Sequence, residues 1–407
     1  MPQLPESAHY DIREPNAHRI GSDAEALSVA HKVAAFLLEG AAERDRNREV
    51  PPEVVEVYSN SGLWGITVPR EFGGAEVSYA TLAEVIAIIS AADPSLGQIP
   101  QNHYCLLEDI RLQGTDEQKR FFFDLALKGN RFANALSETG GKNVQDIQTR
   151  LRHDGDSVVI DGRKGYCTGS LYAHWIGVLG LDEQNNAQLA FVPRGTPGLV
   201  IVDDWASIGQ RTTSSGTVLV EGLRVPAFNV FPTHRSYDVP TLAGPFAQIT
   251  TAAIDAGIAR AALRDTIAFV REQARPWIDA GVEKASEDPL TNIQVSELGI
   301  RIEAADALLE RAGKVMDAAR PAPDEDSVAR ASVAVAKAKV LTTEVAIDAT
   351  NKLFELGGTR STLARHAFDR HWRNARVHTL HDPVRWKYHL VGNWLLNDKR
   401  PPRHDWN

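Results

Sequence analysis

Cysteine is scarce: the 407-residue chain holds two, Cys105 and Cys167. Two thiols cannot build the disulfide framework of a small secreted domain, so a reducing cytoplasm is the expected compartment. Long apolar runs are missing too. None reaches the ~18 residues that would suggest a membrane-spanning helix. The opening stretch, MPQLPESAHYDIREPNAHRI, lacks the basic start and apolar core of a secretory signal and reads as a partly ordered arm. Basic excess is absent. A net charge of −9 argues against nucleic acid as the main partner, because phosphate binding needs a basic face. No GxGxxG follows a strand and there is no Walker loop, so no nicotinamide site is legible. RHAFDRHWRNARVHTLHD carries His366, His371, His378 and His381. No HExxH, cysteine-rich or facial-triad spacing accompanies them, and no metal is expected.

What is present is globular material: 43% hydrophobic and 24% charged residues, enough for a large core. At roughly 100–200 residues per domain, the length suggests two to four domains. After an arm over 1–20, residues 21–130 read as helices. Ser22, with Glu25 three residues on, makes a capping-box pattern before AEALSVAHKVAAFLLEGAAE. Pro51 and Pro52 open EVVEVYSNSG, while Pro69, Gly73 and Gly74 mark a turn. YATLAEVIAIISAAD, PSLGQIPQNHYCLLEDIRLQG and DEQKRFFFDLALKG follow as three more helical stretches.

The texture changes near residue 131. RFANALS, IQTRLRH, SVVIDGRK, HWIGVLGL, QLAFVPR, GLVIVDD and TVLVEGLRV alternate with turn residues. Their spacing of about ten residues predicts an antiparallel sandwich or barrel over 131–240. Residues 241–407 are helical again. One long helix runs from Gly244 and stops at Pro276; two more fall at roughly 290–319 and 325–357, separated by Pro321 and Pro323. The expected class is therefore α+β, with an N-terminal helical domain, a central β-domain and a C-terminal four-helix bundle. That order alone identifies no function.

Three stretches together resemble the acyl-CoA dehydrogenase superfamily: IGQRTTSSGTVLVEGLRVPAFNVF (208–231), AAIDAGIARAALRDTIAFVREQAR and FELGGTRST (354–362). Four more are similar to its reduced-flavin-dependent monooxygenases, the dibenzothiophene monooxygenase and sulfur acquisition group: GYCTGSLYAHW, VDDWASIGQRTTSSGT, REQARPWIDAG and FDRHWRNARVHTLHDPVRWK. The resemblance covers nearly the whole chain from about residue 20. It implies FMNH2 delivered by a separate NAD(P)H-dependent flavin reductase, oxygen as co-substrate, a C4a-hydroperoxide and a small organosulfur substrate. It also implies a homotetramer.

Departures from the dehydrogenases point the same way. Where they carry a tyrosine–glutamate–glycine motif with the catalytic base, this chain reads Leu380, His381, Asp382, Pro383. The carboxylate is one methylene shorter and sits in a different turn, where a base has to reach its proton to about 3 Å. The phosphate-binding stretch is altered to SETGGKNVQD (137–146), and the element that holds the adenine half of FAD is replaced by Arg275, Pro276 and Trp277. Both changes suit FMN over FAD. An FAD-dependent acyl-CoA dehydrogenase and a non-catalytic scaffold of the same fold stand as the alternatives.

The resemblance assigns roles to particular residues. Thr168 offers a hydroxyl to the flavin N5 region, with Tyr166 beside it. Asn134, on the strand that lines the flavin, bonds the ring edge. Trp205 offers a flat apolar face to the ring. Arg275 reaches the flavin phosphate of a neighbouring subunit, and Arg360 is a second phosphate ligand. His381 is the proton donor, since histidine titrates near neutrality. Asp382 orients a neighbouring group, and His103 stands against the substrate. Without the resemblance, each would read as a core, turn or surface residue.

Overall fold

Capping residues and prolines set the helix starts. The computed structural model describes residues 7–8, 12–143 and 146–407; most of the first eleven residues of the expected arm, and residues 144–145 of SETGGKNVQD, lie outside the described residues. At α1 (Asp23–Leu38) the Ser22 hydroxyl accepts from the Glu25 N–H. The reciprocal half of the expected capping box is shifted by one residue, for Glu25 accepts from the Gly21 N–H. The predicted first helix is also interrupted. Gly40 takes φ 74°, a left-handed conformation that glycine adopts at little cost, and separates α1 from α2 (Ala41–Asn47). Then come α3 (Pro52–Asn60), α4 (Tyr79–Ala92), α5 (Pro94–Gln113) and α6 (Asp116–Leu127).

Among the described residues eight strands follow: β1 (Phe132–Ala135), β2 (Arg150–Asp154), β3 (Ser157–Lys164), β4 (Trp175–Leu181), β5 (Ala187–Pro193), β6 (Leu199–Val202), β7 (Thr217–Pro226) and β8 (Val230–Phe231). They form one sheet in the order β6-β7-β3-β2-β4-β5-β8, with β1 on β4. The antiparallel expectation needs correction in two places: β1 and β2 both lie parallel to β4. Parallel neighbours need a long crossover, and the chain between β1 and β4 supplies one that itself contains the β2–β3 hairpin.

The C-terminal part comprises α7 (Ala243–Glu272), α8 (Pro289–Ala319), α9 (Glu325–Gly357), α10 (Asp369–His378) and α11 (Arg385–Asn397). α7 packs on α8 and α9, α11 lies on α9, and α4 leans across α7 and α8. Close approach depends on missing side chains. A Cβ at Gly257 of α7 would lie 2.5 Å from the Ala87 carbonyl oxygen of α4. Through this contact the first helical part, α7 and the sheet share one apolar core.

Candidate active site

The turn leaving β3 builds one half of the site. Tyr166 holds φ 56°, a left-handed conformation that costs a non-glycine residue about 1–3 kcal/mol. This turns its carbonyl inward, where it accepts from the Thr168 N–H at 2.9 Å and from Asn134 Nδ2 at 3.5 Å. The Tyr166 ring is exposed and meets Trp205 edge-on, at 6.1 Å between centroids. Four of the expected flavin residues, Asn134, Tyr166, Thr168 and Trp205, are thus brought together.

Behind Thr168 runs a buried line of hydroxyls. Thr168 Oγ1 lies 2.8 Å from Ser215 Oγ, which lies 2.7 Å from Thr213 Oγ1. Thr213 donates to the Gln210 carbonyl at 3.0 Å, and the Trp205 indole N–H donates to the same oxygen at 2.8 Å. A hydroxyl has one proton to give. Thr213 gives its proton to Gln210, so Ser215 gives to Thr213 and Thr168 gives to Ser215. Thr168 is left facing outward as an acceptor. Gln210, itself at φ 48°, is anchored by its N–H on Asn374 Oδ1 of α10 at 2.6 Å. Both amide atoms of the Gln210 side chain and Oδ1 of Asn134 are buried without a hydrogen-bond partner. Unpaired buried polar atoms cost about 1–3 kcal/mol each, which marks this place as built for something polar.

The other expected catalytic group lies after α10. His381 is part exposed, with Nδ1 3.8 Å from Asp382 Oδ1. Asp382 is buried, 3.7 Å from Lys339 Nζ of α9 and 3.3 Å from Lys387 Nζ of α11. Burial alone would raise its carboxyl, but Lys339, His381 and Lys387 outweigh it and hold Asp382 below the ordinary carboxylate range. Beneath it, Lys339 Nζ lies 3.6 Å from Asp255 of α7, whose other oxygen receives His378 Nδ1 at 2.5 Å. Thr343 donates to Asp255 at 2.8 Å.

Two assignments need comment. The catalytic role expected of His103 is corrected by its surroundings. The ring is fully buried, with Nε2 2.8 Å from the Trp64 carbonyl and Nδ1 accepting from the Phe132 N–H at 3.1 Å. Both nitrogens are taken, and burial pushes its pKa down to about 3, so it is a neutral structural histidine. Arg275 lies beyond the end of α7, not at it, and is exposed. Arg360 donates to the Gln273 carbonyl at 3.1 Å, which sets the two arginines at the same end of the helical layer. The four C-terminal histidines diverge: His371 pairs with Asp265 at 2.7 Å, His378 with Asp255, and His366 stacks on Phe368.

Sequence reasoning missed Gln210, Thr213 and Ser215 of the hydroxyl line, and Asp255, Lys339 and Lys387 of the charge cluster. A usable signal existed for two of them. Asp255 in TTAAIDAGIA and Lys339 in VAVAKAKVL are charges set into apolar helical stretches, where a charge needs a partner.

Comparison with known proteins follows the same lines. The models of the acyl-CoA dehydrogenase N-terminal, middle and C-terminal domains match residues 24–130, 133–223 and 249–386. The probable FMNH2-dependent monooxygenase SfnC of Pseudomonas putida is 31% identical, over 92% of this chain and 96% of that one. Dibenzothiophene monooxygenase of Rhodococcus erythropolis is 31% identical over 98% of this chain and 99% of that one. The FMN-bound structure of TdsC from Paenibacillus sp. A11-2 superposes with a TM-score of 0.89 at 30% identity, covering 94% of this chain and 100% of that one.

Proposed function

Because the chain belongs to the acyl-CoA dehydrogenase family, and within it to the FMNH2-dependent monooxygenases, we propose that it is the oxygenating component of a two-component system acting on a small organosulfur compound. It takes FMNH2 from a separate NAD(P)H-dependent flavin reductase. Bound reduced flavin supplies oxygen activation and transfer of one oxygen atom. The observation that carries the reading is the meeting of Thr168 and Asn134 at the Tyr166 carbonyl: a hydroxyl left as an acceptor beside an amide whose Oδ1 is buried and unpaired. A flavin edge, with its alternating donors and acceptors, fits it. Reduction adds a ring N–H that an acceptor at Thr168 can receive.

The other residues serve that ring. Tyr166 and Trp205 wall it. Arg275 reaches the phosphate of the flavin bound by a neighbouring copy in a homotetramer, and Arg360 is a second phosphate ligand. FMN, which has no adenine half to house, is the flavin. His381 would hand a proton to the departing oxygen and take one back as water is formed, being part open to solvent. Water has to be kept from the ring, and the bulky Trp205 and Tyr166 side chains lie on its approach. The rival dehydrogenase reading would require Asp382 as base. A carboxylate ion-paired to two lysines and held low is a poor proton acceptor. Both cysteines are free thiols, in keeping with a cytoplasmic setting.

The test is an anaerobic titration with FMNH2, followed by mixing with labelled oxygen and a thioether or thiophene. Labelled S-oxide is expected. Tight binding of oxidised FAD that is bleached by acyl-CoA, with no oxygenated product, would return the protein to the dehydrogenases.

A further inference from the structure

The charge cluster beneath His381 is closed and balanced. Asp255 and Asp382 carry two negative charges; Lys339 and Lys387 carry two positive ones. Lys339 is almost fully buried and its Nζ makes no hydrogen bond; it lies between the two carboxylates at 3.6 and 3.7 Å. His378 is equally buried. Its Nδ1 meets Asp255, and its Nε2 has no partner. A third cation here would leave one positive charge uncompensated in an apolar setting, which is costly.

We propose that Lys339 is a positioning residue for His381: by serving both Asp255 and Asp382, it fixes the carboxylate beside His381 and keeps a proton off His378, sealed beneath it. The deduction rests on the proposed function only in naming His381 the proton donor. The surroundings support it. Burial first, then the charges of Lys339 and His381, depress the His378 pKa, while Asp255 opposes them. Every element packed around His378 and His381 contributes: Asp255 from α7, Lys339 and Thr343 from α9, His378 from α10, Asp382 from the turn and Lys387 from α11. The C-terminal segment adds His404, whose pKa is depressed by burial and then by Lys387, and the Trp406 carbonyl, which accepts from Lys387. With Lys339 removed, two negative charges would face one lysine, and a proton on His378 would restore the balance.

Histidine-selective 15N NMR of the flavin-free protein reads the outcome directly. In the parent at pH 7, His378 is expected to be neutral, with its proton on Nδ1. In Lys339→Met it is expected to be imidazolium at the same pH, while Lys339→Arg keeps it neutral. With FMNH2, the Met variant would release hydrogen peroxide where the parent forms product, the yield falling about tenfold or more, and the Arg variant would restore it. An imidazolium at His378 in the parent, or a neutral His378 in Lys339→Met, overturns the proposal. Should the Met variant fail to fold, Lys339→Gln is read by the same criteria. A parent that binds FMNH2 but yields no S-oxide would defeat the functional reading and leave the NMR result standing.

Discussion

At the residue scale, the hydroxyl line makes a claim about which redox state binds. Thr168 faces outward as an acceptor only while Ser215 takes its proton. Ser215→Ala frees that proton, so Thr168 can donate as well. Oxidised FMN, which offers an acceptor at N5, should then bind about tenfold more tightly relative to FMNH2, a change of ~1.4 kcal/mol. Paired titrations with the two forms check this; an unchanged ratio would show that the line does not set the polarity of Thr168. His381→Ala should slow S-oxide formation by about 10²–10⁴-fold, the range for a lost general acid, with FMNH2 affinity preserved. Unchanged turnover would remove His381 from the chemistry.

His103 governs acid behaviour instead. Its pKa is near 3 in the fold, whereas an unfolded histidine titrates at about 6.5. Below about pH 6.5 the unfolded chain therefore binds the additional proton. Stability falls with pH by about 1.4 kcal/mol per unit until about pH 3, where the folded ring is protonated too. His103→Gln keeps an acceptor for the Phe132 N–H and should flatten the acid limb of a denaturation series over that window. An equally steep limb would mean another group controls it.

At the scale of elements, sequence pattern carries far along the chain and little across it. The spans expected at roughly 290–319 and 325–357 match α8 and α9 to within a residue, because proline ends and apolar periodicity are local signals. The parallel seating of β1 and β2 on β4 was not legible, since alternation gives a strand its faces and not its neighbours. The candidate site divides the same way. Asn134, on β1, and Tyr166, Thr168 and Trp205, in turns, are legible as candidates because they sit in motif-bearing stretches. The Asp255–Lys339–Asp382 cluster joins α7, α9 and the turn after α10, and no spacing along the chain encodes that meeting. The α4–α7 crossing is a further case. Gly257→Val would drive a side chain onto the Ala87 carbonyl and should destabilise the fold by about 1–3 kcal/mol in chemical denaturation. A variant as stable as its parent would mean that α4 can shift.

For the whole molecule, the exposed surface is informative. Leu290, Ile293 and Ile300 of α8 and Leu395 and Leu396 of α11 are largely open in the single chain. Apolar positions on packed helices call for cover, and a homotetramer would supply it. Light scattering should give four copies per particle, and Ile293→Glu with Ile300→Glu should yield a smaller species. If the phosphate sits across that interface, the smaller species should also bind FMNH2 more weakly, as should Arg275→Gln. A monomer with full affinity would place the whole flavin site within one chain.

The seating of Gly209 and Gln210 against α10 has a consequence for traffic. A Cβ on Gly209 would lie 2.0 Å from the Arg373 carbonyl oxygen, and the Gln210 N–H is fastened to Asn374. The sheet's turn and the last helices are fastened together there, so this wall of the proposed berth is expected to hold still as cargo enters. Flavin delivered by the proposed reductase would then pass through a fixed doorway. Loading should then rise in proportion to flavin concentration and slow with solvent viscosity, without the plateau that a swinging gate imposes.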